Sequence, residues 1–147
     1  MDATSLRSAK VQDREFLFEL HRAAMGPYLE ELFGPWDDAI QWEFFDRWFQ
    51  RSEASVVVLE GEDIGVLGLE HRVDEVYVTR IEIHPDWQNR GIGSAVMQQV
   101  LDQAAVDGKA VSLHVFEINP AFRLYERLGF ATAGKHEDRI LMKVRPT

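Results

Sequence analysis

The sequence predicts an α/β or α+β domain built on a mixed sheet, and three observations carry that reading. β-branched or alternating segments such as Val56–Leu59, Ile64–Leu69 and Val111–Phe116 are interleaved with segments whose apolar residues recur every three to four positions. Their order is strand, helices, hairpin, then strand–helix–strand–helix–strand. With 147 residues, 46% hydrophobic and 28% charged, the chain has the size of a single domain, spanning 1–147, with a real core.

Thr4–Ala9 reads as a first strand. A helix is expected from about Gln12 to Met25, with Phe16, Leu20, Ala23 and Ala24 on one face and Leu17 at its margin. Gly26-Pro27 is expected to break it, leaving a short helix Tyr28–Phe33 that ends at Gly34-Pro35. Asp37 or Asp38 can cap the next helix, and Asp38 with Gln41 has the capping-box spacing. There Ile40, Phe44 and Trp48 recur every four residues, as do Phe45 and Phe49. Glu60–Asp63 is a turn joining two strands of a hairpin.

The strand from about Glu75 to His84 changes apolar parity: Val76 and Val78 are even, Ile81 and Ile83 odd. An extra residue near Thr79–Arg80, a β-bulge, would account for this; burial on both faces is the alternative. From Gly91 to about Asp107, Ile92, Val96, Val100, Leu101 and Ala104 form a helical stripe, and Gly108 ends it. After the strand Val111–Phe116, Asn119 and Pro120 open a helix with Ala121, Leu124, Tyr125 and Leu128 on one face. Gly129 stops that helix, and Phe130–Ala133 and Ile140–Val144 read as final strands.

Composition removes several classes of function. No run of about 18 apolar residues exists, so nothing reads as a membrane span. Met1–Ser5 lacks a basic-then-apolar signal, and there is no cysteine, so a cytoplasmic location is expected. A net charge of −9 argues against nucleic acid and is compatible with a cationic or amine partner. The histidines His21, His71 and His136 show no metal-ligand spacing, and no metal is expected. Between Gly26 and Asp46 there is no Lys or Arg, while Glu30, Glu31, Asp37, Asp38, Glu43 and Asp46 are interspersed with Tyr28, Trp36 and Trp42. That run is either the solvated face of amphipathic helices or an acidic, aromatic wall for a substrate cation.

The chemistry concentrates between Ile81 and Ala95. Strand, Pro85, then Gly91-x-Gly93 at a helix start let successive backbone N–H groups converge on one concave spot, with the positive end of the helix dipole behind them. Arg90 adds a full charge, and a pyrophosphate would fit. A dinucleotide fingerprint is excluded because Val96 stands where its third small residue belongs, and the Gly-Lys-Ser/Thr of a P-loop is missing.

Gln88-x-x-Gly91-x-Gly93-x-Ala95 after such a strand resembles the acetyl-CoA-binding motif of the GNAT superfamily of N-acetyltransferases. Asn119-Pro120-Ala121-Phe122-Arg123-Leu124-Tyr125-Glu126-Arg127-Leu128-Gly129-Phe130 is similar to that family's later motif, in the right order and at about the right distance. The resemblance covers about Val76 to Val144. It implies a mixed, mostly antiparallel central sheet flanked by helices, with a bulged central strand, and an acyltransferase acting on acetyl-CoA without a metal.

Carried over by position, the backbone of Ile81, Glu82 and Ile83 would hold the acetyl group and pantetheine arm. Gln88 fits the first motif position, and Asn89, Arg90, Gly91, Ile92, Gly93 and Ser94 would hold the pyrophosphate. Asn119 would meet the pantetheine, and Tyr125 would sit near the thioester sulfur as general acid. The base that removes the amine's proton is left open between Glu82, acting through a water, His114 and water itself, with His84 a further candidate. The acceptor would be a small-molecule or protein amine, and the protein a monomer or homodimer. Two other readings remain at this level: a non-catalytic acyl-CoA sensor, and an interaction domain with Trp36, Trp42 and Trp48 exposed.

Overall fold

The computed structural model describes residues 4–146, so the first three residues of the Met1–Ser5 stretch lie outside the described residues. The strands are β1 Thr4–Ser8, β2 Glu53–Leu59, β3 Glu62–His71, β4 Glu75–Ile83, β5 Ala110–Phe116, β6 Ala131–His136 and β7 Arg139–Val144. The helices are α1 Arg14–Phe33, α2 Asp38–Arg51, α3 Ile92–Val106 and α4 Ala121–Arg127. The strands form a mixed, mostly antiparallel sheet in the order β1-β2-β3-β4-β5-β7-β6, flanked by helices. β4 and β5 run parallel, in register from Glu75↔Ala110 to Val78↔Leu113. Parallel neighbours need a crossover, and α3 lies between them in the chain. The fold divides into two compact units: Met1–Gly68 with Arg80–Gly93, and Leu69–Thr79 with Ser94–Thr147.

In the first unit, α1 departs from the sequence reading. Gly26-Pro27 does not break it; the helix runs 20 residues straight through Pro27. Proline removes one helical hydrogen bond, but the helix is packed just before it: Gly26 is buried, with Trp36 Cε3 3.9 Å from where a Cβ would stand. The buried face also differs. Leu17 is 0% exposed and Phe16 39%, because the inward stripe is Leu17, Leu20, His21 and Ala24. These positions follow the i, i+3, i+4, i+7 spacing of a helix face, with a histidine in one apolar slot.

Asp37 is the residue that caps α2, its Oδ1 accepting the Ile40 N–H at 3.0 Å. Phe45 and Trp48 turn inward, whereas Ile40 and Phe44 are exposed. With Leu17, Phe18, Leu20, Val56 and Val66 they form one core, and Trp36, Trp42 and Phe49 pack against it. The edge-on ring pair Phe18–Trp42 (5.0 Å) adds about 0.5–1.5 kcal/mol beyond area burial, and Phe45–Trp48 packs tilted at 5.3 Å.

The β2–β3 hairpin turns at Glu60 and Gly61, both with positive φ (52° and 80°), as a two-residue loop that follows the strand twist requires. Gly65 on β3 permits a close approach: a Cβ there would lie 2.7 Å from the Glu82 carbonyl oxygen and 2.8 Å from Ile83 Cδ1. Gly65→Ala will therefore lower unfolding free energy by about 1–3 kcal/mol, measured by urea denaturation. A wild-type midpoint would show that the strands part without cost.

In the second unit, Val96, Met97, Val100 and Ala104 of α3 are buried, and Gly108 (φ 67°) ends the helix. Strand β7 pairs antiparallel with both β5 and β6. The β6–β7 register shifts between Thr132 and Gly134, leaving Ala133 as the extra residue.

Along β4, Val76 and Val78 are buried at one end and the adjacent Glu82 and Ile83 at the other. Thr79, Arg80 and Ile81, where the apolar parity changes, are half-buried. Arg80 and Glu82, two apart on one face, are polar yet inward, so polarity did not report direction here.

Candidate active site

The end of β4 carries a buried charged cluster. His21 Nδ1 lies 2.8 Å from Glu82 Oε2 and 2.7 Å from Arg80 Nη1, and Arg80 Nη1 lies 3.1 Å from the same Glu82 oxygen. The side chains are 10%, 7% and 15% exposed for His21, Glu82 and Arg80. Rings wall them in: the Arg80 guanidinium lies 4.3 Å from the Trp48 ring centroid and 5.1 Å from that of Phe45, and His21 stacks on Phe45 at 5.8 Å. Burial pushes the Glu82 carboxyl up, but Arg80 and then His21 outweigh it and hold the group below the usual carboxylate range. Glu82 is therefore ionised in the fold.

After Ile83 the chain enters a short 3₁₀ turn, Pro85–Trp87, which His84 caps by accepting the Asp86 N–H at Nδ1 (3.1 Å). Gln88 Nε2 donates to the Ile83 carbonyl at 2.8 Å, fastening the loop to the strand end. Asn89 (φ 64°) and Gly91 (φ 79°) both adopt left-handed backbone, and the chain then enters α3 at Ile92. Nothing lies within 4 Å of where a Gly91 Cβ would stand, so the turn opens onto free space. Arg90 sits over the Trp87 ring at 4.9 Å and donates to the Asp86 carbonyl at 3.1 Å. A 15-residue helix led in by such a turn has the backbone chemistry to hold a diphosphate.

In the first unit the structure thus brings together Ile81, Glu82, Ile83, Gln88, Asn89, Arg90, Gly91, Ile92 and Gly93. Ser94, Asn119 and Tyr125 belong to the second. Asn119 Oδ1 accepts the Ala121 N–H at 3.0 Å, so its oxygen is a helix cap while its amide can still donate. Tyr125 is buried on α4, its ring 5.8 Å from Phe130 in an edge-on pair. His114, one of the alternative bases, is exposed, and its Nδ1 is hydrogen-bonded to the Tyr77 hydroxyl at 2.6 Å. Burial, then Arg139 and Arg72, lowers its pKa and keeps it neutral.

Other expectations are redrawn. Asp37 caps α2, Asp38 takes the Trp36 indole N–H, and Asp46 pairs with Arg14 at 2.7 Å, so half of the acidic run has local structural duties. The exposed-tryptophan reading does not hold: Trp48 is buried, and Trp36 and Trp42 pack on the core. Among the described residues no His, Cys, Asp or Glu group is placed to hold a metal, and no helix is long and apolar enough to cross a membrane. Sequence reasoning missed His21 and Arg80. The signal for His21 was present, as the one polar residue on the Leu17–Leu20–Ala24 stripe.

A mixed seven-stranded sheet, with one parallel pair and a left-handed glycine turn at the head of the crossover helix, defines a GNAT-type acyltransferase fold. The chain belongs to the acetyltransferase (GNAT) family, whose model matches residues 15–130. It is similar to the Cysteine-rich protein 2-binding protein of Mus musculus, 34% identical over 86 residues, 56% of this chain and 11% of that protein. It is also similar to the [Ribosomal protein bS18]-alanine N-acetyltransferase of Salmonella typhimurium, 34% identical over 82 residues, 48% of this chain and 55% of that one. The chain thus spans less than two thirds of either relative's length. Among solved structures, the PaiA N-acetyltransferase of Thermoplasma acidophilum in complex with coenzyme A matches with a TM-score of 0.78 at 14% identity, covering 97% of this chain and 99% of that one.

Proposed function

We propose that residues 1–147 act as one domain that moves the acetyl group of acetyl-CoA onto a primary amine of a small molecule or protein by direct attack. The observation that carries this reading is the Asn89–Gly91 turn, left-handed, open to solvent and aimed into the start of α3. Family membership supports the donor, and the coenzyme A in the PaiA complex supports its identity.

Acetyl-CoA supplies an activated thioester carbonyl when bound. The backbone amides from Asn89 to Ser94 grip its pyrophosphate, with Arg90 beside them and Gln88 holding the loop on Ile83. The backbone of Ile81, Glu82 and Ile83 receives the acetyl group and pantetheine arm, and a backbone N–H there stabilises charge developing on the carbonyl oxygen. The Asn119 amide meets the pantetheine. Glu82 takes a proton from the acceptor ammonium, and Tyr125 gives one to the departing sulfur.

A thiol-release screen across polyamines, aminoglycosides, amino acids and peptides with free N-termini tests the reading. The peptide arm follows from the likeness to a ribosomal-protein alanine acetyltransferase. Release with at least one class is expected; coenzyme binding with no release in any arm would make the domain a sensor. Gly91→Val, placing a β-branched residue at φ 79°, will weaken coenzyme A binding by about tenfold or more, or about 1.4 kcal/mol. Calorimetry checks this, and an unchanged dissociation constant removes the turn from the site.

A further inference from the structure

Glu82 has two oxygens in different circumstances. Oε2 meets His21 at 2.8 Å and Arg80 at 3.1 Å. Oε1 is buried and, among the described residues, has no hydrogen-bond partner. An ionised oxygen sealed from water without a donor is costly, so the vacancy points to a donor that arrives with the substrate. The acceptor's ammonium is such a donor. Yet a carboxylate held by an arginine is a weak base, and something must help it keep a proton.

The third member of the cluster can. His21 Nδ1 lies within hydrogen-bond range of both the Arg80 Nη1 donor and the Glu82 Oε2 acceptor. One ring nitrogen cannot accept from the first and donate to the second at once. Two arrangements follow: Nδ1 bare and accepting from Arg80, or Nδ1 protonated and donating to Glu82. We propose that His21 is the positioning residue of the general base: Glu82, protonated by the acceptor at Oε1, hands that proton from its carboxyl to the bare Nδ1 of His21, so that the carboxylate is regenerated. This rests on the acetyl-transfer reading above. The ammonium gives one proton to Glu82; its neutral nitrogen then forms the C–N bond as the C–S bond breaks. Tyr125 protonates the sulfur, and the nitrogen's second proton returns to Tyr125 through solvent. The titratable groups against the His21 ring are Arg80 and Glu82 of β4. From α2 and the loop before it the ring meets the aromatic Phe45 and Trp36. The charged pairs Arg14–Asp46 and Arg22–Asp38 on α1 and α2 are closed on each other.

His21→Asn keeps a donor beside Glu82 but cannot exchange a proton. With the best acceptor from the screen, the acid limb of kcat/KM against pH is expected to move by about one unit or more, and kcat to fall about 10–100-fold, while the coenzyme A dissociation constant stays put. An Asn variant with the wild-type profile would reduce His21 to packing and overturn the proposal. A second measurement needs no turnover. In ¹⁵N-histidine-labelled wild-type protein, the His21 resonances, assigned by their loss in His21→Asn, are expected to show a proton on Nδ1 that is lost in Glu82→Gln. A bare Nδ1 throughout the accessible pH range overturns the proposal even in an active enzyme. Absence of turnover with every acceptor condemns the transfer reading instead and leaves the NMR result to judge the pair.

Discussion

Arg80→Met will lower the unfolding free energy by about 3–5 kcal/mol, the range for breaking a buried ion pair by removing one partner. The loss comes from what stays behind. The Glu82 side chain is 7% exposed and meets His21 and Arg80, so without Arg80 its charge has only the imidazole to answer it. The pH dependence gives the sign. In the wild type the Glu82 carboxyl is held low, so the unfolded chain binds more protons; the stability it contributes is present above the ordinary carboxylate range and lost as pH falls through the native value. In the variant, burial remains and the main opposing attraction is gone, so the rise in stability with pH will be shallower or absent. Urea unfolding at several values from about pH 4 to 7 measures both effects. Adding Glu82→Leu will recover most of the loss, since replacing a whole buried pair by apolar residues is often neutral or better. That double variant will be stable and inactive. Equal instability of the single and double variants would contradict the electrostatic account.

Tyr125→Phe will cut kcat by about 10²–10⁴-fold, the span of a general acid's contribution, and leave the coenzyme dissociation constant within about twofold. The ring keeps its place: it is 6% exposed, sits edge-on to Phe130, and its backbone carbonyl accepts the Phe130 N–H at 3.0 Å. None of these features needs the hydroxyl, and a thermal melt checks that the variant folds. The split between kcat and coenzyme binding is the readout, by steady-state kinetics and calorimetry. Full activity in the Phe variant would pass the proton to solvent.

Features specified by near neighbours in the chain were legible. The β2–β3 hairpin, the α3 stripe, the Gly108 stop and the Asn119 cap all appear where the sequence puts them, although the hairpin turn is two residues rather than the four from Glu60 to Asp63. Each depends on residues a few positions apart. The candidate diphosphate turn belongs with them, because its conformation is written in Asn89 and Gly91 themselves. What was lost depended on partners far along the chain. Proline suggested a helix end at Gly26-Pro27, yet packing near Trp36 carries α1 through it. His21 and Glu82 are 61 positions apart, and neither could show the other's presence. Apolar repeats also misjudged α2, where Ile40 and Phe44 kept the spacing but face outward.

The bare position at Gly65 reaches beyond packing. Since a Cβ on β3 at this point would stand 2.7 Å from the carbonyl of Glu82, the residue proposed to take the proton, a methyl group there would push that residue out of line without touching any ligand. Saturation mutagenesis scored by turnover would mark this silent glycine as intolerant as the acid it abuts, and a survey that equated intolerance with chemistry would misname it.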